Sequence, residues 1–188
     1  MTKQQLITEA EKEMQTLKVS TVWQEIENEN AYYLEISNDK NAFITTDLLK
    51  KIYTVVTGEK AAFRTQDTVE PARKVPAAAD LDHYLMHFVS QMQISRQMFH
   101  PIEYAAICHK RILEVCPFVK HNEEVADFVL NFLLVQSGYI TVALSKVEPA
   151  RYEEALRIAQ HPSSPDVDAL ISYIAECLIG RAKALLNK

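Results

Sequence analysis

The fold is decided by residues 99–139, which read FHPIEYAAICHKRILEVCPFVKHNEEVADFVLNFLLVQSGY. A proline in the first turn of a helix is tolerated because its missing N–H would be unpaired there, so Pro101 predicts a helix start. Pro117 cannot continue that helix, and the chain is therefore expected to turn there. Between the two prolines, residues suited to one buried face recur at helical spacing: Ile102, Ala105, Ala106, His109, Ile112, Leu113 and Cys116.

The same stretch predicts a second helix that is more apolar than the first. Asn122 is a suitable N-cap residue, and the carboxylates of Glu123 and Glu124 favour the positive end of a helix dipole. Residues 125–135 leave almost no polar face, which indicates a central and buried helix. Gly138 follows where a helix-ending glycine is expected. The stretch thus predicts a helix, a tight loop and a second helix.

Composition limits the classes of function. A chain of 188 residues with 48% hydrophobic residues can bury a core and most simply forms one domain. Its net charge of −5 argues against nucleic-acid binding, and no apolar run reaches the ~20 residues of a membrane span. Cys108, Cys116 and Cys177 form no CxxC pair, which is typical of reduced thiols, and the N-terminal segment is unlike a secretory signal, so we expect a cytoplasmic protein. The three isolated glycines do not form a glycine-rich phosphate loop.

The remaining segments predict further helices and one small β element. Helical spacing is present at residues 3–18, 45–56, 80–92 and 148–160, and again from Asp166, which begins the last helix. Thr45 or Thr46 can cap the second of these helices, and Gly58 closes it. Residues 19–43 are of mixed character, and there we predict a short helix and irregular chain.

The β element is predicted at residues 61–69, where apolar and polar residues alternate loosely before several prolines, and we interpret residues 63–76 as a hairpin flap. We divide the chain into an N-terminal helical extension, residues 1–44, and a single compact helical domain, residues 45–188. The predicted class is all-α, with a small β-hairpin flap beside a helical bundle that surrounds a central buried helix.

The order of these residues resembles the Fic/Doc (Fido) family. That family has an "AA..H" helix, a loop of the pattern HPFx(D/E)GNGRxxR, and an apolar helix that ends near Gly-Tyr. Phe63 and Arg64 resemble the strand before the family's target-binding flap, and residues 152–156 resemble the helix that follows its motif. The resemblance spans roughly residues 45–180. It rests in the central stretch on residues 101–106, His109, Pro117, Phe118, Asn122, Asn131, Gly138 and Tyr139.

The loop departs from the family pattern where the chemistry would occur. Members that carry the full pattern transfer AMP from ATP to a target hydroxyl. The resemblance implies a histidine as general base, an acidic residue that holds Mg²⁺, glycines that form an anion nest and arginines that balance the phosphates. In a gapless alignment Asn122 is kept, whereas those positions hold Cys116 for the histidine, Lys120 for the acid, His121 and Glu123 for the glycines, and Glu124 and Asp127 for the arginines.

These replacements argue against AMP transfer by the family's route. The unperturbed pKa of a cysteine, near ~8.5, suits a general base less well than that of histidine. Lys120 cannot bind Mg²⁺, although its ammonium could take the place of the cation and hold a phosphate; a solvated loop lysine is the plainer interpretation. Glu123 and Glu124 put negative charge where a triphosphate would approach. Cys116 could still be an activated nucleophile, alone or with His121, but a buried structural thiol is the interpretation that we favour.

Two other patterns point to less specific sites. His83 and His87 could share a Zn²⁺ with Cys108 or His109, but no second ligand pair supports this, so we expect ordinary polar contacts and no metal. Glu176 fits most of the family's inhibitory (S/T)xxxE(G/N) pattern, yet the arginine that it would pair with is replaced, so we interpret it as an ordinary helix residue.

The sequence therefore leaves two hypotheses. The first is a degenerate Fic-domain protein, a pseudoenzyme that acts through a protein partner and needs no cofactor; ATP and Mg²⁺ would be required only if the family's chemistry survives. The second is a Fic-fold enzyme with altered nucleotidyl or phosphoryl transfer that uses Cys116 or His121. We favour the first and expect neither nucleic-acid nor membrane binding; homo-oligomerisation stays open.

Overall fold

The computed structural model describes residues 1–37, 39, 41–69 and 75–187. In this part of the chain the structure is helical, with short connections and one 3₁₀ turn at Ala78–Asp80. The helices are α1 (Lys3–Lys18), α2 (Trp23–Leu34), α3 (Thr46–Thr57), α4 (Leu81–Ser95), α5 (Pro101–Val115), α6 (Asn122–Gln136), α7 (Leu144–Val147), α8 (Pro149–Ala159) and α9 (Val167–Leu186). The prediction of an all-α fold is confirmed.

Helices α5 and α6 form the central pair, as the sequence predicts. Pro101 is in the first turn of α5, where His100 and Glu103 form a capping box with the backbone. Helix α6 is buried along most of its length, and it packs against α5, α2 and α3. It ends before Gly138, whose φ of 78° is the left-handed conformation that favours glycine at a helix end. The two helices and the loop between them position the candidate site.

One capping prediction is wrong. His121, not Asn122, occupies the N-cap position of α6, and its side chain makes no capping hydrogen bond. Asn122 is the first residue of the helix, and its side-chain amide pairs instead with the backbone of Phe118. An asparagine side chain can satisfy backbone groups on either side of a helix start, so the sequence pattern alone did not distinguish these two roles.

The predicted β-hairpin flap is not observed in the described residues. Residues 60–69 and 75–77 are extended or irregular and form no strand, while residues 70–74 of the predicted flap lie outside the described part of the chain. The backbone N–H of Arg64 instead donates to the carbonyl of Pro117, 2.9 Å away. This segment is therefore tied to the loop before α6 and not to a second strand.

The N-terminal helices contribute to the same core as the central pair. Helix α1 lies against α9, and its apolar residues, among them Ile7 and Leu17, are almost fully buried in that contact. Helix α2 contacts α6. The boundary that we place between residues 44 and 45 stays a prediction. Within the described residues, no helix combines the length and apolar content that a membrane crossing requires.

A short chain of polar side chains crosses the core between α5, α6 and α8. His109 is fully buried on α5, and its Nε2 atom lies 2.8 Å from the hydroxyl of Tyr152. The other ring nitrogen, Nδ1, lies 3.6 Å from Oδ1 of Asp127 on α6. That oxygen is buried and has no hydrogen-bond partner among the described residues, although 35% of the Asp127 side chain is exposed. Burial, with the nearby charges of Glu123 and Glu124, raises the pKa of Asp127 to about 6.

The raised pKa of Asp127 predicts a pH-dependent cost to stability. Between roughly pH 4 and pH 6 the folded protein holds a proton here that the unfolded chain releases, so the contribution of Asp127 to stability falls as pH rises through this window. Replacing Asp127 with asparagine should therefore raise the free energy of unfolding at pH 8 and have a smaller effect near pH 4. Urea denaturation of both proteins at the two pH values measures this difference.

The matched control is Asp82→Asn, because Asp82 is exposed on α4 and the substitution removes one negative charge elsewhere. It should leave the pH dependence of the unfolding free energy unchanged. If Asp127→Asn instead lowers stability at pH 8, the ionised carboxylate is a net stabilising partner of His109, and our account of this buried chain is wrong.

Candidate functional site

The loop between α5 and α6 has an unusual backbone at both ends. Cys116, which ends α5, has a φ of 45°, and His121, which precedes α6, has a φ of 64°. Non-glycine residues seldom adopt such left-handed conformations, because the side chain crowds the backbone. At His121 the pattern that this chain resembles has a glycine. The loop therefore has a backbone shape that suits glycine at one end, but it achieves this shape with a histidine.

Asn122 fixes the loop through two hydrogen bonds to one peptide group. Its Oδ1 atom accepts from the N–H of Phe118 at 3.0 Å, and its Nδ2 atom donates to the carbonyl of Phe118 at 2.9 Å. The ring of Phe118 is fully buried between Tyr53 and Phe63, with ring centroids 4.4 and 5.3 Å away. The two hydrogen bonds of Asn122 and the packing of the Phe118 ring together hold the middle of the loop against α3 and the segment before α4.

Arg64 holds the start of the loop through hydrogen bonds to backbone carbonyls. Its side chain is buried, and its guanidinium donates to the carbonyls of Cys116 at 2.8 Å, Pro76 at 2.7 Å and Gln66 at 3.2 Å. A guanidinium used in this way satisfies several buried carbonyls at once. The sequence suggested that Phe63 and Arg64 belong to a target-binding flap. In the structure Phe63 packs on Phe118, and Arg64 holds the flap segment to the loop.

Cys116 lies inside the protein at the position that would supply the general base. Only 1% of its surface is exposed, and its thiol donates to the carbonyl of Leu113 at 3.1 Å. A nucleophile or general base must come within hydrogen-bond distance of its substrate. The thiol is therefore placed as a packed side chain at the end of α5.

The N-terminus of α6 is occupied by side chains from its own first turn. Nδ1 of His121 lies 2.9 Å from Oε1 of Glu124. Burial alone would raise the pKa of Glu124, but the hydrogen bonds from His121 and from its own backbone N–H lower it overall. Glu123 adds a second acidic residue in the same turn. Free backbone N–H groups at a helix start attract anions, and here two carboxylates, those of Glu123 and Glu124, stand in that first turn.

Lys120 is held by a residue that the sequence analysis did not identify. Its ammonium lies 2.7 Å from Oε1 of Glu59, and Tyr53 donates from its hydroxyl to the other carboxylate oxygen of Glu59 at 3.3 Å. The hydrogen bond with Lys120 lowers the pKa of Glu59, and the same bond raises the pKa of Lys120. No sequence signal indicated this partner, because Glu59 follows α3 and is 61 residues away along the chain.

The remaining predicted residues are distributed over other parts of the molecule. The position of the outer arginine is taken by Asp127, which lies beside His109. Glu176 on α9 forms an ion pair with Arg151 on α8. His83 and His87 stack on α4 with ring centroids 6.4 Å apart, whereas the thiol of Cys108 is buried beside Met92. Among the described residues, no three histidine, cysteine or acidic side chains are arranged to hold a metal ion.

Comparison with known sequences finds relatives that are named protein adenylyltransferase Fic. No family model matches the chain. The chain is 28% identical over 145 residues to the protein adenylyltransferase Fic of Aedes aegypti, a match that covers 74% of this chain and 28% of that protein. It is 26% identical over 120 residues to the protein of the same name from Drosophila melanogaster, covering 63% of this chain and 24% of that one. The chain thus matches about a quarter of the length of these relatives.

Solved structures share the same fold. A Fic domain containing signaling protein from Bacteroides thetaiotaomicron superposes with a TM-score of 0.70 at 15% identity, covering 84% of this chain and 70% of that chain. Fic-1 from C. elegans gives a TM-score of 0.70 at 23% identity, covering 84% and 48%. IbpAFic2 in complex with adenylylated Cdc42 gives 0.61 at 14% identity, covering 94% and 63%.

The sequence relatives and the solved structures that share the fold point to the same kind of domain. Together they support a Fic/Doc (Fido) domain in this chain: the sequence is similar to that of proteins named Fic, and the fold is that of solved Fic domains.

Proposed function

We propose that this chain is a degenerate Fic-domain protein that does not transfer AMP and acts by binding another protein. The observation that carries this proposal is the carboxylate of Glu124 at the N-terminus of α6, where it accepts hydrogen bonds from His121 and from its own N–H. In the pattern that this chain resembles, that turn holds a glycine and an arginine and receives phosphates.

Electrostatics at this turn oppose a triphosphate. Two unit charges 4 Å apart repel by about 1 kcal/mol in water and by about 4 kcal/mol near a protein surface. Glu123 and Glu124 are both in the first turn, so a polyphosphate would meet this repulsion without the arginines that offset it in the resembled pattern. The favourable helix dipole, about half a charge at the N-terminus, is smaller than the charge of these two carboxylates.

The other chemical roles of AMP transfer also lack a fitting residue. Lys120 stands at the position of the Mg²⁺ ligand, and an ammonium repels a metal cation and has no lone pair to give it. Cys116 stands at the position of the general base and is buried. These residues therefore do not fit ATP with Mg²⁺, and we derive no reaction step through that pair.

A binding role is supported by what the domain retains. Asn122 and Arg64 hydrogen-bond the backbone of the loop, although the residues of the resembled motif are replaced, and Val119 in the loop is 76% exposed. Among the structural neighbours, IbpAFic2 is found in a complex with a protein, adenylylated Cdc42. A stable scaffold with an exposed apolar loop tip suits recognition of a protein surface better than catalysis in a closed pocket.

We predict that removal of the two acidic side chains restores affinity for phosphates. The variant Glu123→Ala/Glu124→Ala should bind ATP about tenfold more tightly than the unaltered protein at low salt, because the repulsion is lost and the backbone N–H groups are freed. The measurement is an ATP titration followed by the NMR shifts of the backbone amides of residues 122–125.

The matched control is Glu25→Ala/Glu27→Ala, which removes the same net charge from exposed positions on α2. It should leave ATP affinity unchanged within about twofold. Equal, tight ATP binding by the unaltered protein and by the first variant would contradict the proposal, as would labelling of lysate proteins from radiolabelled ATP, CTP, UTP or GTP by the unaltered protein.

The alternative of altered transfer chemistry needs a reactive Cys116 or His121. The burial of Cys116 predicts that iodoacetamide does not modify it in the folded protein and does so only after unfolding in urea. Mass spectrometry of time points identifies which cysteine reacts. Cys177, which is 8% exposed, is an internal reference and should react before Cys116. Modification of Cys116 first, and faster than free cysteine at neutral pH, would favour the enzyme.

A further inference from the structure

The outward face of α4 carries no charged side chain. Between Asp82 and Arg96 the sequence contains no aspartate, glutamate, lysine or arginine, although 24% of the residues in the chain are charged. The inward face, with Leu85, Phe88 and Met92, is buried in the core. The opposite face is exposed at His83, Met86, His87, Ser90, Gln93 and Ile94. We propose that this face binds the same face of a second copy of the chain, with the two α4 helices antiparallel.

The exposed residues of α4 follow the spacing of a helix–helix contact. Four of them are separated by four, three and four positions: His83, His87, Ser90 and Ile94. This alternation lets one helix present a continuous seam to another. Met86 and Ile94 are 61% and 73% exposed, and Met98, in the turn after the helix, is 73% exposed. Large apolar side chains with this exposure on one uncharged face indicate a surface that another molecule covers.

The order of residues along this face is self-complementary about Ser90. In an antiparallel pair with a two-fold axis at Ser90, each residue meets the one that lies equally far on the other side of Ser90. Met86 then meets Ile94 of the second copy, and His87 meets Gln93 of the second copy. Apolar side chains therefore meet apolar ones, and hydrogen-bonding side chains meet each other, on both sides of the axis. This match argues for a second copy as the occupant.

Charge favours the same occupant. The chain has a net charge of −5, so two copies repel each other on average. Other exposed helix faces carry charged residues, such as Glu11 and Lys12 on α1 and Glu153 on α8, and a self-interface there would bring copies of the same charges together. The uncharged face of α4 avoids this repulsion. A protein of opposite charge would be attracted by acidic or basic side chains, and this face has none.

The size of the face predicts a weak and reversible dimer. Helix α4 has 15 residues and is about 22 Å long at 1.5 Å per residue. One helix face of this length buries less than the ~800 Å² per partner of a standard interface, so we expect a dissociation constant of about 100 µM. The small side chain of Ser90 at the centre allows close approach of the two helices. The inference uses no residue of the loop at 116–124, so it and the proposed function can fail independently.

Sedimentation velocity of the purified chain from about 10 µM to about 1 mM measures this association. We expect the mean sedimentation coefficient to rise with concentration toward that of a dimer. Ile94→Glu should raise the dissociation constant at least about tenfold, because it places a carboxylate in the uncharged face. Since Ile94 is exposed, the helix content by circular dichroism and the melting temperature should stay unchanged. The matched control is Val19→Glu, which adds the same charge at an 87% exposed residue after α1 and should associate as the unaltered protein does.

A double variant tests the antiparallel register. Met86→Lys/Ile94→Glu should associate at least about fivefold more strongly than Ile94→Glu alone, because the register places the new ammonium of each copy opposite the new carboxylate of the other. The two positions are eight residues apart in α4, too far to pair within one helix.

The proposal is overturned if the unaltered protein is monomeric at about 1 mM, the result expected if a different protein covers this face. It is also overturned if Ile94→Glu associates as strongly as Val19→Glu, or if the double variant associates no more strongly than Ile94→Glu.

Discussion

The structure depends on the hydrogen bonds that hold one loop, the connection between α5 and α6, to the elements around it. Asn122 satisfies both backbone groups of Phe118, and Arg64 donates to the carbonyl of Cys116 and to that of Pro76. Backbone groups in a buried loop that lacked such partners would each cost free energy comparable to a lost hydrogen bond. These two side chains explain how the loop holds its shape although Cys116 and His121 occupy left-handed conformations that most residues avoid.

Two charged side chains of this region, those of Glu124 and Lys120, also have partners in the fold. Glu124 contacts His121 at the start of α6, where both side chains are partly exposed. Lys120 is likewise engaged by Glu59. The result is a domain with the fold of solved Fic domains in which acidic side chains, Glu123 and Glu124, stand in the first turn of α6. These features together support a role in protein binding.

Sequence reasoning predicted the helices well because their signals are local. Pro101, the capping residues Thr45 and Asp166, and the glycines at positions 58 and 138 mark helix ends within a turn of where they lie. The short helix α7 was not predicted, since four residues carry no periodicity to detect. The hairpin flap was predicted from loose alternation, but in the described residues tertiary hydrogen bonds from Arg64 determine the conformation of that segment.

The candidate site was predicted only in part, for a physical reason. Alignment to a known pattern located Cys116, Lys120 and Glu124, because their positions follow from spacing alone. The positions of their partners do not follow from spacing. Glu59 lies 61 residues from Lys120, and Arg64 lies 52 residues from Cys116. A buried arginine is rare unless its donors are satisfied. Only the fold shows that Arg64 has a structural role, in which its guanidinium donates to backbone carbonyls.

The most direct test of the central claim is a crystal structure of the protein after soaking with ATP and Mg²⁺. Our account predicts that Glu124 keeps its contact with His121 and that no phosphate density is found at the N-terminus of α6. Phosphates seated beside Asn122, with Glu123 and Glu124 turned outward, would contradict it.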